Sequence, residues 1–165
     1  ENALPPGTAI VRAMPNTPAA ISRGITVAVP NAKVSARQRK LATDLLAAIG
    51  TVEWVADEVL MDAVTAVSGS GPAYIFLLAE AMTKAGIAAG LPEGLASRLA
   101  RETVAGSGEL LHRSDLDAGT LRQNVTSPGG TTAAALGVLM GPGGFDALLT
   151  EAIVAATKRS RELAG

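Results

Sequence analysis

At 165 residues the chain has room for one domain, or for one domain and a piece of another, with a sizeable core. It is 48% hydrophobic but only 2% aromatic, so its apolar surface comes from small side chains that let helices pack closely. Fourteen basic and fifteen acidic residues, with no long block of either sign, point away from nucleic acid or an anionic membrane, and no apolar run approaches the roughly eighteen residues of a bilayer span.

The first residues, ENALPPG, have neither the basic region nor the apolar core of a signal peptide, and a cytoplasmic protein is expected. TAIVRAMP (8–15) and GITVAVP (24–30) are short, rich in β-branched residues and end at prolines, which predicts two strands joined by the loop NTPAAISR. In SARQRKLATDLLAAIG (35–50), Ser35 and Gln38 have capping-box spacing, Leu41, Leu45 and Ile49 share one face, and Gly50 supplies the stop of a helix. TVEWV (51–55) predicts a third short strand. From Asp57 onward only helical patterns are legible, at roughly 57–68, 72–88, 92–112, 117–125, 131–140 and 144–163. Residues 1–56 hold too few strands for a free-standing α/β sheet and read as the end of a larger sheet domain, while 57–165 read as an all-helical module.

Within that module, TSPGGTTAAAL (126–136) sets a turn that cannot continue a helix before a strongly helix-forming run, so Thr131 and Thr132 fall at a helix start. Taken alone, this is first a capped helix after a surface turn. It is also a place for an anion, because the first backbone N–H groups of a helix lack partners and carry the positive end of the peptide dipoles, with two glycines leaving room for close approach. The chain has no cysteine and one histidine, His112, so a disulfide framework, a thiol nucleophile and a Cys- or His-rich metal site are excluded.

Three blocks, VRAMPNTPAAISRG (11–24), DAVTAVSGSGPAYIFLLAEAM (62–82) and LRQNVTSPGGTTAAAL (121–136), together closely resemble pyrroline-5-carboxylate reductase. The resemblance implies an α/β remnant of a Rossmann-type sheet, the C-terminal end of a dinucleotide-binding domain, followed by an all-α helical dimerisation domain, predominantly helical overall. It implies a homodimer, with higher homo-oligomers open, and reduction of the cyclic imino acid 1-pyrroline-5-carboxylate to proline by NADPH or NADH. One departure matters: no G-x-G-x-x-G follows a strand, so the main cofactor-binding motif is absent and the chain resembles roughly the last three fifths of a family member. SGSGPAY (68–74) lies between helical segments and reads as a tight helix-to-helix turn. By itself the chain is not expected to turn over, and the alternative reading is a non-catalytic dimerisation and substrate-site module.

Carried onto this sequence, the family's pattern places the substrate carboxylate at the helix-start amides around Gly129, Gly130, Thr131 and Thr132. The Thr132 hydroxyl is the implied catalytic donor near the imine nitrogen. Ser127 either braces the turn or reaches the substrate, and Glu58 matches a position near the substrate pocket, although an acid in a first helical turn is also ordinary dipole complementation. Met14, Pro15 and Asn16 resemble the segment facing the nicotinamide, and Asn124 matches an asparagine near the cofactor. A plain strand-ending turn and a helix cap are their structural alternatives. No metal is implied. Dehydrogenases acting on hydroxy acids rely on a lysine in the helical domain, and here only Lys84 and Lys158 are present, outside any matching motif.

Overall fold

A computed structural model describes residues 4–163. They divide between two compact units, one made of the chain up to Pro72 together with the stretch from Ala152, the other of Ala73–Glu151.

In the first unit, β1 (Val11–Met14), β2 (Gly24–Pro30) and β3 (Gly50–Trp54) form a sheet in the order β1-β2-β3. β1 is antiparallel to β2, with Val11 opposite Pro30 and Met14 opposite Val27, and β2 is parallel to β3. The central place of β2 accounts for its apolar sequence: Thr26, Val27, Ala28 and Val29 are all buried, as in a strand covered on both faces. The loop expected between β1 and β2 contains a 3-10 turn, Thr17–Ile21. Gly50, with φ of +139°, lies beside Gly24, and a Cβ on it would strike the Gly24 carbonyl group. Only glycine lets the two strands start side by side.

Helix α1 (Ala36–Leu46) opens with the expected capping box: the Gln38 amide donates to Ser35 Oγ at 3.3 Å and the Ser35 amide donates to Gln38 Oε1 at 2.9 Å. Its docking face differs from the expected apolar one. Leu41 and Leu45 are 58% and 67% exposed, whereas Trp54 Nε1 donates to Thr43 Oγ1 at 3.0 Å and the Arg39 guanidinium lies 4.6 Å over the Trp54 ring. The indole supplies a large apolar plate with one N–H to satisfy, and the helix meets it with the face that offers an acceptor and a cation.

Beyond β3, the helix expected over 57–68 is broken into a 3-10 turn at Glu58–Leu60, α2 (Met61–Val64) and a π-helical turn at Thr65–Gly69. The SGSGPAY segment is not a tight turn between helices. Only Ser70 separates the π turn from α3 (Gly71–Ala88), and the Ser70 amide donates to the Thr65 carbonyl at 2.9 Å, the wider spacing of a π turn. Met61 is fully buried against Val27 and Val29, with Met14, Val55 and Val64 packed at the edge. The same unit takes in the end of α7 (Phe145–Leu163), where Ser160 Oγ donates to Asp62 Oδ1 at 2.7 Å and Arg161 Nε lies 3.7 Å from the same carboxylate.

The second unit comprises most of α3, with α4 (Glu93–Arg113), α5 (Ala118–Asn124), α6 (Thr131–Leu139) and the first part of α7. α3 and α4 cross closely at small residues: a Cβ on Gly86 would sit 3.2 Å from that of Ala96. Ala96 and Ala100 are the buried hydrophobic residues of this unit among those described, while Phe76, Leu77, Val138 and Leu148 stand exposed. The apolar surface of these helices is therefore not consumed within one chain. No helix of the described residues is long and apolar enough to cross a membrane.

Candidate active site

The residues singled out in the sequence fall on both units. In the second, α5 ends at Asn124, and the Thr126 hydroxyl closes its last turn by donating to the Arg122 carbonyl at 2.6 Å. A tight turn follows, in which the Gly130 amide donates to the Ser127 carbonyl at 3.0 Å. Pro128 and Gly129 occupy its middle, and the φ of +70° at Gly129 is one that glycine adopts without strain. Gly130 is the N-cap of α6, with Thr131 and Thr132 as the first two helical residues.

No side chain caps this helix and no acid lies in its first turn. A side chain on Gly130 would crowd the Ser127 carbonyl, its Cβ only 3.2 Å away. Two glycines thus strip the approach to the helix start of side chains, and the electropositive end of the helix is left to whatever anion reaches it. Thr132 is half-buried; Ser127, Asn124 and Thr131 are exposed. Asp117, the N-cap of α5, accepts from the Thr120 hydroxyl at 2.7 Å and the Thr120 amide at 3.0 Å, and these bonds hold its carboxyl below the ordinary carboxylate range.

In the first unit Met14 ends β1 within the edge of the Met61 cluster, and a Cβ on Gly69 would come 2.6 Å from its thioether methyl. Pro15 follows. Asn16 points back into the unit: its Oδ1 accepts from the Ile25 amide at 3.0 Å, tying the segment after β1 to the start of β2. Glu58 is engaged by Arg12, with Oε1 2.8 Å from Nη1 across an exposed pair. Surface hollows of about 430 and 460 Å³ lie around Pro30 and Asn31, toward the end of the sheet opposite Met14, and Arg12 and Glu58 border the smaller.

Sequence reasoning did not find the π turn, the Met14–Gly69 contact or the Asp62–Ser160 bond. The paired glycines of SGSG were the available signal for the first two, read as a turn because helical periodicity does not distinguish π from α over so few residues. The third joins residues 98 apart and has no local signature.

A small sheet followed by helices, one of them with a glycine-lined, uncapped start, describes the class of fold. The chain belongs to the pyrroline-5-carboxylate reductase family: the model of that family's dimerisation domain matches residues 58–163. It is 49% identical over 155 residues to the pyrroline-5-carboxylate reductase of Pseudomonas aeruginosa, covering 94% of this chain and 56% of that one. It is 46% identical to that of Synechocystis, covering 96% and 58%. Among solved structures it is similar to the Coxiella burnetii pyrroline-5-carboxylate reductase, with a TM-score of 0.90 and 41% identity over 96% of this chain and 58% of the other. The pyrroline carboxylate reductase of Plasmodium falciparum, solved with NADP bound, gives 0.80 and 34% over 94% and 63%. The chain thus spans a little over half the length of the curated relatives it matches. The small sheet, the helical domain after it and the predominance of helix agree with the fold class expected from the sequence.

Proposed function

We propose that this chain supplies the substrate seat and the nicotinamide-facing edge of an NAD(P)H-dependent reductase that converts 1-pyrroline-5-carboxylate to proline. The observation that carries this is the uncapped, acid-free start of α6 behind the Ser127–Gly130 turn, in a chain of this family. The amides of Gly130, Thr131 and Thr132 hold the substrate carboxylate, with Gly129 keeping the approach open and Ser127 bracing the turn through its carbonyl. With the carboxylate fixed, the Thr132 hydroxyl lies by the imine nitrogen and steadies the proton there. Met14, which ends β1, and Pro15 after it are read as the nicotinamide edge, and Asn124, at the end of α5, as a further cofactor contact. Asn16 serves this edge by pinning it to β2, and the Arg12 ion pair gives Glu58 a positioning part in the same unit. By the sequence pattern the sheet-domain part ends near residue 56 and the helical part begins at 57, whereas the compact units divide at Pro72.

When bound, the reduced dinucleotide supplies the hydride that adds to the C=N carbon. The chain fits its nicotinamide end and not its pyrophosphate. The connections leaving the three strands, residues 15–16, 31–35 and 55–57, contain no glycine, and a phosphate cradle at a strand end depends on glycine for close backbone approach. Dinucleotide affinity therefore belongs to a partner domain, and the choice between NADPH and NADH is made there. The exposed apolar residues of α3, α6 and α7 support a homodimer, from which higher assemblies can be built, with the cytoplasm as its setting.

The test is steady-state kinetics of a full-length reductase carrying this chain. Thr132→Val keeps shape and backbone but deletes the donor, so kcat and kcat/KM should fall together by roughly ten-fold to a thousand-fold, while binding of a proline-like carboxylate inhibitor changes little. Thr132→Ser should recover much of the rate and Thr131→Val should be milder. Wild-type turnover in Thr132→Val would leave the loop as a carboxylate clamp alone.

A further inference from the structure

Three observations meet at the π turn between α2 and α3. The turn lies between the short α2 and the long α3, and π turns inside helices occur mostly where function requires a local distortion. Ser68, inside it, has a fully buried hydroxyl without a hydrogen-bond partner among the described residues, a cost that folding alone gives no reason to retain. Gly69, the next residue, faces the methyl of Met14 so closely that a Cβ would come within 2.6 Å of it. A regular α-helical turn would displace Gly69 from this register. The π turn brings a residue without a side chain against the end of β1.

We infer that Gly69 is a positioning residue for hydride transfer: by seating the Met14 thioether it sets the surface on which the nicotinamide rests. This rests on the reading that Met14 faces the nicotinamide, and it adds a residue of the helical segment that acts on the cofactor through Met14 without touching it. The contact is with the far end of a flexible side chain, so an added methyl at Gly69 displaces the Met14 methyl and leaves the backbone in place. Met14 also packs against the Met61 cluster, so its displaced methyl cannot settle without disturbing that contact.

The experiment uses a full-length reductase carrying this chain, with ¹³C-methyl methionine labels, and compares wild type with three variants: Gly69→Ala, Met14→Ala and the double. In wild type, NADPH should shift the Met14 methyl resonance. Gly69→Ala should shift it before NADPH is added, and should lower kcat/KM for NADPH about ten-fold with the KM for the imine and the thermal midpoint unchanged. In the Met14→Ala background the same glycine substitution should cost less than about two-fold, since the side chain through which it acts is gone. A Met14 methyl indifferent to NADPH in wild type would remove the placement of Met14 itself, and the inference with it. A Met14 methyl that responds to NADPH, together with wild-type kinetics in Gly69→Ala or equal losses in both backgrounds, would overturn the role of Gly69 and leave the nicotinamide reading standing.

Discussion

Met61 is the largest fully buried side chain of the first unit, enclosed by Val27 and Val29 with Met14, Val55 and Val64 around it. Met61→Ala deletes the three atoms beyond Cβ. At about 0.8 kcal/mol for each buried methylene-sized group the lost transfer term is about 2.4 kcal/mol, and the unrelaxed part of the cavity brings the total to about 3 kcal/mol. For a chain of this length each kcal/mol moves the thermal midpoint by about 2–4 °C, so a fall of about 6–12 °C is expected. Urea titration followed by circular dichroism should show a lower midpoint with an unchanged slope, because the surface exposed on unfolding is nearly the same. Met61→Leu, which conserves volume, should cost less than about 1.5 kcal/mol. The comparison that decides is Leu45→Ala: Leu45 is 67% exposed, and its truncation should cost less than about 1 kcal/mol. If Met61→Ala and Leu45→Ala unfold at the same midpoint, the core of this unit is not where burial places it.

The isolated chain should sediment as a dimer at micromolar concentration, because α3, α6 and α7 expose Phe76, Leu77, Val138 and Leu148; a stable, well-folded monomer would remove the interface argument. Calorimetric titration of the isolated chain with NADPH should give no micromolar affinity, and finding it would place the pyrophosphate site within this chain. Asp117 has a depressed folded-state pKa, so its capping contribution is fully present above the ordinary carboxylate value and is lost as pH falls through the depressed one. Amides of α5 should accordingly lose protection from exchange below about pH 4, and Asp117→Asn should abolish that acid response. An identical response in Asp117→Asn would assign it to another group.

What the sequence determined was what a few neighbouring residues can specify. Ser35 and Gln38 satisfy each other's backbone donors within one turn, so their spacing was enough to start α1. Pro128, Gly129 and Gly130 set the turn by their own allowed dihedral angles, and α6 starts at Thr131 as read, so the candidate anion seat was legible before any tertiary contact. The tertiary structure decided everything that depends on a distant partner. The α1 face docked on β3 is the one bearing Thr43 and Arg39 because Trp54, eleven residues beyond Thr43, has an N–H and a ring face to satisfy. Asn16, read from its likeness to the family, is held by the Ile25 amide, and Glu58 by Arg12. The π turn brings Gly69 against the methyl of Met14, which comes from the end of another strand. Local dihedral preferences and i to i+3 hydrogen bonds are written in adjacent residues. Which faces meet is settled only when close packing and the pairing of buried polar groups are satisfied together.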